Sequence, residues 1–288
     1  MTMSSQDMST RDGAGSSERR RVMVSVAPNG GRKTKADHPA LPISATELAR
    51  CAAECRDAGA SLIHVHVRDA EGSHSLDADA YKAVTRAIRR EVGNDLVVQI
   101  TTESLGRFSP SDMIAAVQEV RPEAASIALR EIVRNEADER HFAGFMRWMS
   151  SEGVAPQIIL YDQVEQQVLK ALQDRGLVSD RIPLLYVLGR YTANQTSDPA
   201  DLTSFLDAKR PPHWSVCAFG PREAECVVAA SLLGGNARIG FENNLLLPSG
   251  EIAPSNAASV AVVASALGSL SIPLETADGL RETLSRLQ

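Results

Sequence analysis

Ser44-Ala45-Thr46-Glu47 opens a pattern in which Leu48, Cys51 and Cys55 recur at helical spacing until Gly59 closes it. Ser61-Leu62-Ile63-His64-Val65-His66-Val67 follows at once as an extended run. Ser44 and Glu47 have capping-box spacing, each side chain satisfying a backbone N–H of the first helical turn. Gly59 is a helix-ending residue. The stretch therefore reads as a helix delivering the chain into a strand, and the same alternation runs along the molecule. Extended runs occur at Val22–Ala27, Ser61–Val67, Leu96–Thr101, Ala124–Ala128, Gln157–Tyr161, Ile182–Val187, Trp214–Phe219 and Ala237–Phe241. Most are nearly continuous apolar segments, as parallel strands covered on both faces require. Eight such units over residues 21–288 predict one α/β domain, a (β/α)8 TIM barrel. A doubly wound open sheet is the alternative, but the first turn, Ala27-Pro28-Asn29-Gly30-Gly31, lacks the G-x-G-x-x-G spacing of that fold.

Other signals along the chain are structural. Phe142, Phe145, Met146 and Met149 form a stripe that reads as core, and Cys51 with Cys55 reads the same way. Asp198-Pro199 and Gly220-Pro221 mark helix starts, and Ala257–Leu267 is a final small-residue helix. Met1 to Arg20 is polar and Ser-rich without an apolar segment, so it is expected to be a disordered tail and not a secretory signal.

With 43% apolar and 23% charged residues the composition is globular, and no apolar run reaches the roughly 18–20 residues that span a bilayer, so a soluble protein is expected. Thirty Lys and Arg against thirty-six Asp and Glu give a net charge of −6, which argues against nucleic acid or an anionic membrane as the main partner. Cys51, Cys55, Cys217 and Cys226 are too few for a disulfide framework and contain no C-x-x-C pair, which points to a reducing cytoplasm.

Two stretches carry chemistry. In His64-Val65-His66-Val67-Arg68-Asp69 the two imidazoles share a strand face. Inside a barrel they make half of a metal site, or else a hydrogen-bonded buried pair. In Arg238-Ile239-Gly240-Phe241-Glu242-Asn243-Asn244, period-two geometry puts Arg238, Gly240 and Glu242 on the inner face. Charges there are costly unless paired, coordinated or used. Glu242 either pairs with Arg238 or completes a two-His, one-Glu zinc site with an open position.

These blocks, with Ala27-Pro28-Asn29-Gly30, Leu41-Pro42, Gly59-Ala60, Gln99-Ile100-Thr101-Thr102, Gly234–Leu245 and Ala253-Pro254-Ser255-Asn256-Ala257, make the chain resemble the β-keto acid cleavage enzymes. The resemblance covers nearly everything after the tail. It implies a zinc-bearing barrel, usually a homotetramer, that condenses a β-keto acid with acetyl-CoA to give acetoacetate and a new acyl-CoA. It implies His64, His66 and Glu242 as metal ligands, Arg238 as the active-site arginine, and Thr101 and Thr102 as substrate-binding residues, with Asn29 in the first loop beside them. Two departures stand out. Asn243 occupies the place of a relative's catalytic aspartate, and an amide cannot take a proton at neutral pH. Arg32 stands where that relative has a glutamate for an amino substrate, and arginine there favours an anionic or neutral acid. Without an aspartate at 243, the proton acceptor is Glu103, Asp69, the substrate's own carboxylate or a zinc-bound hydroxide. Arg190 and the Gly220-Pro221 helix start are candidates for the coenzyme A phosphates. A zinc-dependent hydrolase on the same barrel and a metal-binding, non-catalytic homologue are the alternatives. A hydrolase site of that type adds further histidines and a last-strand aspartate, whereas here His38, His74, His141 and His213 are what remain and the last strand offers Glu242.

Overall fold

The computed structural model describes residues 19–206 and 210–287. Among them eight parallel strands close into a barrel: β1 (Val24–Val26), β2 (Leu62–Val65), β3 (Val97–Thr101), β4 (Ala124–Ala128), β5 (Ala155–Leu160), β6 (Leu184–Leu188), β7 (Trp214–Ala218) and β8 (Asn236–Ile239). Each strand pairs with the next and β8 returns to β1, with Ser25 opposite both Leu62 and Arg238, and His64 opposite Gln99. This is the expected TIM barrel.

The outer shell contains α1 (Ala45–Asp57), α2 (Ala78–Val92), α3 (Pro110–Val120), α4 (Glu136–Ser151), α5 (Gln163–Asp174), α6 (Glu223–Leu232) and α7 (Asn256–Ser269), and α8 (Ala277–Leu287) ends the chain. The box predicted for α1 is present: Ser44 N donates to Glu47 Oε2 at 3.0 Å and Glu47 N to Ser44 Oγ at 3.3 Å. The stripe on α4 is buried, as are Cys51 and Cys55, whose free thiols lie 3.8 Å apart. At Asp198-Pro199 the expected start is capped but begins a 3-10 segment, Pro199–Phe205, and among the described residues no α-helix lies between β6 and β7.

Strand alternation sorts the core into two layers. Val24, Val26, Ile63, Val65, Val98 and Ile100 pack beneath the helices. At the N-terminal ends of the strands, Met23, Leu62, Val97, Ala124 and Ala155 meet Ala277, Leu280 and Leu284, so α8 closes the barrel floor. The opposite mouth stays open to carry a site.

Three differences from the expected boundaries bear on the site or on the tail. β2 stops at Val65, and Val67–Arg68 instead forms a small antiparallel ribbon with His74–Ser75. β8 stops at Ile239 because Gly240 turns the chain at φ +142°. Residues 1–18 of the expected tail lie outside the described residues. Arg19 and Arg20, counted with that tail, are tied to the barrel: Arg20 Nη2 donates to Gly235 O at 2.7 Å and Arg19 Nη1 to Leu270 O at 3.0 Å. The ordered body therefore includes Arg19, ahead of the Arg21 boundary. Among the described residues no helix is long and apolar enough to cross a membrane.

Candidate active site

His64 stands on β2, whereas His66 lies one residue past the strand's end, where the pleat no longer sets its direction. Asn29 sets it instead. His66 N donates to Asn29 Oδ1 at 3.2 Å, and Asn29 Nδ2 donates to His66 O at 3.0 Å. The loop bearing Asn29 is itself held by Arg68, whose guanidinium donates to the carbonyls of Gly30, Gly31 and Lys33. The two imidazoles meet with their Nε2 atoms 3.1 Å apart. Gln99 Nε2 donates to Gln157 Oε1, so Gln99 Oε1 accepts from His64 Nδ1 at 2.9 Å and leaves His64 Nε2 unprotonated, with its lone pair toward His66 Nε2. Burial, reinforced by Arg238, holds His64 well below the ordinary imidazole range, so it is neutral. His74 backs His66 with ring centroids 5.1 Å apart, and burial followed by the neighbouring His66 ring pushes it down to about 3.

Glu242 reaches the site by a route that strand periodicity does not describe. It sits in the turn after β8, which Gly240 permits because a Cβ there would fall 2.5 Å from Ala27 O. Side chains and first-loop backbone hold this turn from several sides. Gly240 N donates to Glu223 Oε1 and Phe241 N to Asn256 Oδ1, both at 2.9 Å. Glu242 N donates to Ala27 O at 3.0 Å, and Lys33 Nζ donates to Glu242 O at 2.7 Å. Asn256 also bonds Pro28 O at 3.1 Å, joining α7 to the first loop. Burial pushes the Glu223 carboxyl well above the carboxylate range. Gly30, at φ +59°, is required where the loop crosses Glu242: a Cβ would lie 2.7 Å from Glu242 Cγ.

Glu242 Oε1 accepts from Arg238 Nη2. Glu242 Oε2 has no hydrogen-bond partner and faces His66 Nε2 at 3.3 Å and His64 Nε2 at 3.6 Å. Burial alone would raise this carboxyl, but Arg238, then His66 and His64, outweigh it and hold Glu242 well below the carboxylate range. Bonds of about 2.0–2.1 Å to one tetrahedral ion separate its ligand atoms by roughly 3.3 Å. The three observed separations bracket that value. An orphaned carboxylate oxygen facing two imidazole nitrogens, at least one of them unprotonated, is the donor set that His64, His66 and Glu242 would offer a divalent cation.

These residues line a cavity of about 160 Å³ at the barrel mouth. Asn29, Arg32, Thr101, Glu103, Arg190, Arg238 and Asn243 also line it, so ten of the thirteen residues singled out from the sequence come together. Thr102, Gly220 and Asp69 do not. Thr102 Oγ1 donates to Ser126 O inside the wall. Gly220 packs beneath the loop after β6, where a Cβ would lie 2.5 Å from Gln195 O, and its N–H points to Asn243 O. Arg190 is no surface residue: its side chain is 13% exposed, inside the cavity. Both oxygen and nitrogen of the Asn243 carboxamide are buried without partners. Asp69 lies apart from the lining, accepting from Ser73 N and facing Arg107. Sequence reasoning missed Lys33, Tyr161 and Cys217 in the wall and Asn256, Glu223 and His74 behind it. Burial raises the Cys217 thiol to about 12, so it is a neutral wall group.

A sequence model described as β-keto acid cleavage enzyme matches residues 21–285. The 3-keto-5-aminohexanoate cleavage enzyme of Fusobacterium nucleatum is 27% identical over 273 residues, spanning 92% of this chain and 98% of that one. The 3-oxoadipate:acetyl-CoA acetyltransferase of Cupriavidus necator is 26% identical, spanning 91% and 94%. Among solved structures, a binary complex of ObcA with oxaloacetate superposes with a TM-score of 0.67 at 16% identity, over 85% of this chain and 67% of that one, a likeness of fold. The match over residues 21–285 makes this chain a member of the β-keto acid cleavage enzyme family.

Proposed function

We propose that the protein condenses a β-keto acid with acetyl-CoA, releasing acetoacetate and the coenzyme A thioester of the remaining acyl group, with one zinc ion held by His64, His66 and Glu242. The observation that carries this reading is the convergence of three donor atoms at tetrahedral spacing on a cavity walled by Arg238 and Glu103. Two nitrogens and one carboxylate with an open face suit zinc in a catalytic setting. When bound, the cation supplies Lewis-acid polarisation of the keto oxygen. Relatives named for acetyl-CoA-dependent transfer support the co-substrate.

The remaining steps belong to this chain's own groups. Arg238, neutralised on one side by Glu242, orients the substrate carboxylate from the cavity wall. Of the cavity carboxylates, Glu242 is engaged by Arg238, which leaves Glu103 to accept the proton from the substrate's α-carbon. The resulting carbanion attacks the acetyl carbonyl and expels the coenzyme A thiolate. The thiolate adds to the original keto carbon, and the α–β bond breaks. Glu103 returns the proton to the departing carbanion, which becomes acetoacetate. Asn243 contributes hydrogen bonds from its unpartnered amide. Arg32 at the exposed rim biases the site toward an anionic or neutral acid.

We place the enzyme, as a homotetramer, in the cytoplasm. The first rests on family resemblance, and the second fits four buried free thiols. The test is acetoacetate formation from a panel of β-keto acids by purified protein, with and without acetyl-CoA, beside metal analysis and light scattering. Acetoacetate that appears only with both substrates, one zinc per chain and a tetrameric mass are expected. No product from any acid, or no bound divalent ion, overturns the reading.

A further inference from the structure

We infer that Arg190 is a specificity-determining residue and that the substrate is a dicarboxylic β-keto acid whose second carboxylate binds the Arg190 guanidinium. The inference deepens the proposed reaction and rests on it for the identity of the acid.

Four cations line the cavity, Arg32, Lys33, Arg190 and Arg238, against two carboxylates, Glu103 and Glu242. Three of the four have evident roles or positions. Arg238 is bonded to Glu242. Lys33 donates to the Glu242 carbonyl. Arg32 is exposed at the rim, where solvent screens it. Arg190 differs from all of these. Gly189, at φ +76° and with Thr196 O 2.8 Å from where a Cβ would be, turns the chain sharply after β6 and sets Arg190 inside the cavity. The guanidinium lies 4.8 Å from the Phe219 ring centroid, a contact that fixes its position without using its N–H donors.

Those donors are open. Glu103 Oε1 is 3.6 Å away, close enough to offset charge and too far for a hydrogen bond. Among the described residues the guanidinium makes no hydrogen bond. A mostly buried, pre-positioned fork with free donors is complementary to a carboxylate, which it can grip with two parallel bonds. The β-keto acid's own carboxylate is assigned to Arg238, so the group that meets Arg190 belongs to the far end of the acid. Two surplus positive charges in the wall also match a dianion better than a monoanion. An ammonium-bearing acid would place like charge against the same guanidinium. Coenzyme A phosphates offer a second source of oxyanion chemistry, and kinetics separate the two.

The experiment compares wild type, Arg190→Gln and Arg190→Lys in two ways. Calorimetric binding of glutarate and of butyrate, neither of which reacts, reads the site without turnover. Steady-state kinetics then give separate KM values for 3-oxoadipate and for acetyl-CoA. The expected result for Arg190→Gln is about 10- to 100-fold weaker glutarate binding and a 3-oxoadipate KM raised by a similar factor, with butyrate binding and the acetyl-CoA KM unchanged. Arg190→Lys, which keeps the charge and loses the fork, falls between and carries the comparison should the glutamine variant not fold. Equal losses for glutarate and butyrate, or unchanged glutarate binding, overturn the inference. A raised acetyl-CoA KM alone assigns Arg190 to the coenzyme and also overturns it. Absence of turnover with every acid refutes the proposed reaction, while the glutarate comparison still decides Arg190.

Discussion

Glu223→Ala tests whether the turn that delivers Glu242 is held from behind. Glu223 is 1% exposed at the start of α6, and its Oε1 accepts the Gly240 N–H at 2.9 Å, two residues before Glu242. Removing it leaves a buried N–H without a partner, at a cost of about 1–3 kcal/mol. Part of that cost falls on the conformation of the turn, because Asn256, Ala27 and Lys33 still hold the other side of it. A ligand whose supporting hydrogen bond is lost binds its ion about 10- to 100-fold more weakly. Glu223→Gln keeps an oxygen acceptor at the same reach and is expected to stay within about threefold of wild type. The assay is the zinc dissociation constant by chelator competition, beside urea unfolding of the metal-free proteins. Weaker binding by the alanine variant, with the glutamine variant near wild type, supports a positioning role. Equal destabilisation of the metal-free proteins with unchanged zinc affinity would refute the reasoning and leave Glu223 as a packing residue. Equal losses in both variants would show that the hydrogen bond to Gly240 is not what matters.

Gly30→Ala forces a side chain into left-handed backbone 2.7 Å from Glu242 Cγ, so it should destabilise the fold by about 1–3 kcal/mol and lower metal content, checked by denaturation and metal analysis. Arg32→Glu is expected to shift the ratio of kcat/KM between dicarboxylic and amino-substituted β-keto acids by about two- to tenfold, a modest change because Arg32 is exposed, and an unchanged ratio removes it from selectivity. The Glu47 carboxyl is lowered from 4.5 to about 2 by Lys35, then by the Ser44 and Ile43 N–H groups. A folded value below the unfolded one means stability that is present above 4.5 and lost as pH falls toward 2, so Glu47→Gln should flatten the acid limb of urea stability within that window and nowhere above it.

The barrel was legible because local rules and the closed sheet agree. Each apolar run is short, and most are followed by a capped or glycine-ended helix. Alternation within the runs sends Ile63 and Val65 to the helices and His64 inward, as period two requires. The ends of the strands were less legible, and the functional groups lie at those ends. His66 and Glu242 were assigned to the site by extending period two past Val65 and Ile239, where the strands have already stopped. They arrive there for other reasons: Asn29 clamps the His66 backbone, and the Gly240 turn swings Glu242 over the imidazoles. Strand geometry thus points to residues that do converge at the barrel mouth, but through the wrong intermediate, because turns and not the pleat bring them there.

Residues that act from a distance left no local mark. Lys33 lies 209 positions from Glu242, and Asn256 lies 228 positions from Pro28, so only closure of β8 onto β1 brings either pair together. Glu223 reads in the sequence as an ordinary acidic residue in a first helical turn, a favourable place on dipole grounds alone. Its burial and its bond to Gly240 appear only once α6 is seated beneath the turn. One cue did exist. Gly30 and Gly240, on different segments, both sit where a Cβ would collide, Gly30 with Glu242 and Gly240 with the Ala27 carbonyl. Two glycines beside chemistry-bearing residues, Asn29 and Glu242, are the signature of two backbones passing too closely for side chains. That closeness lets the first loop carry Asn29 to His66 and Lys33 to Glu242 in the same fold of chain. The candidate metal ligands therefore depend on the β1–β8 seam as a unit, and substitutions on either side of it should couple in their effect on metal affinity rather than add.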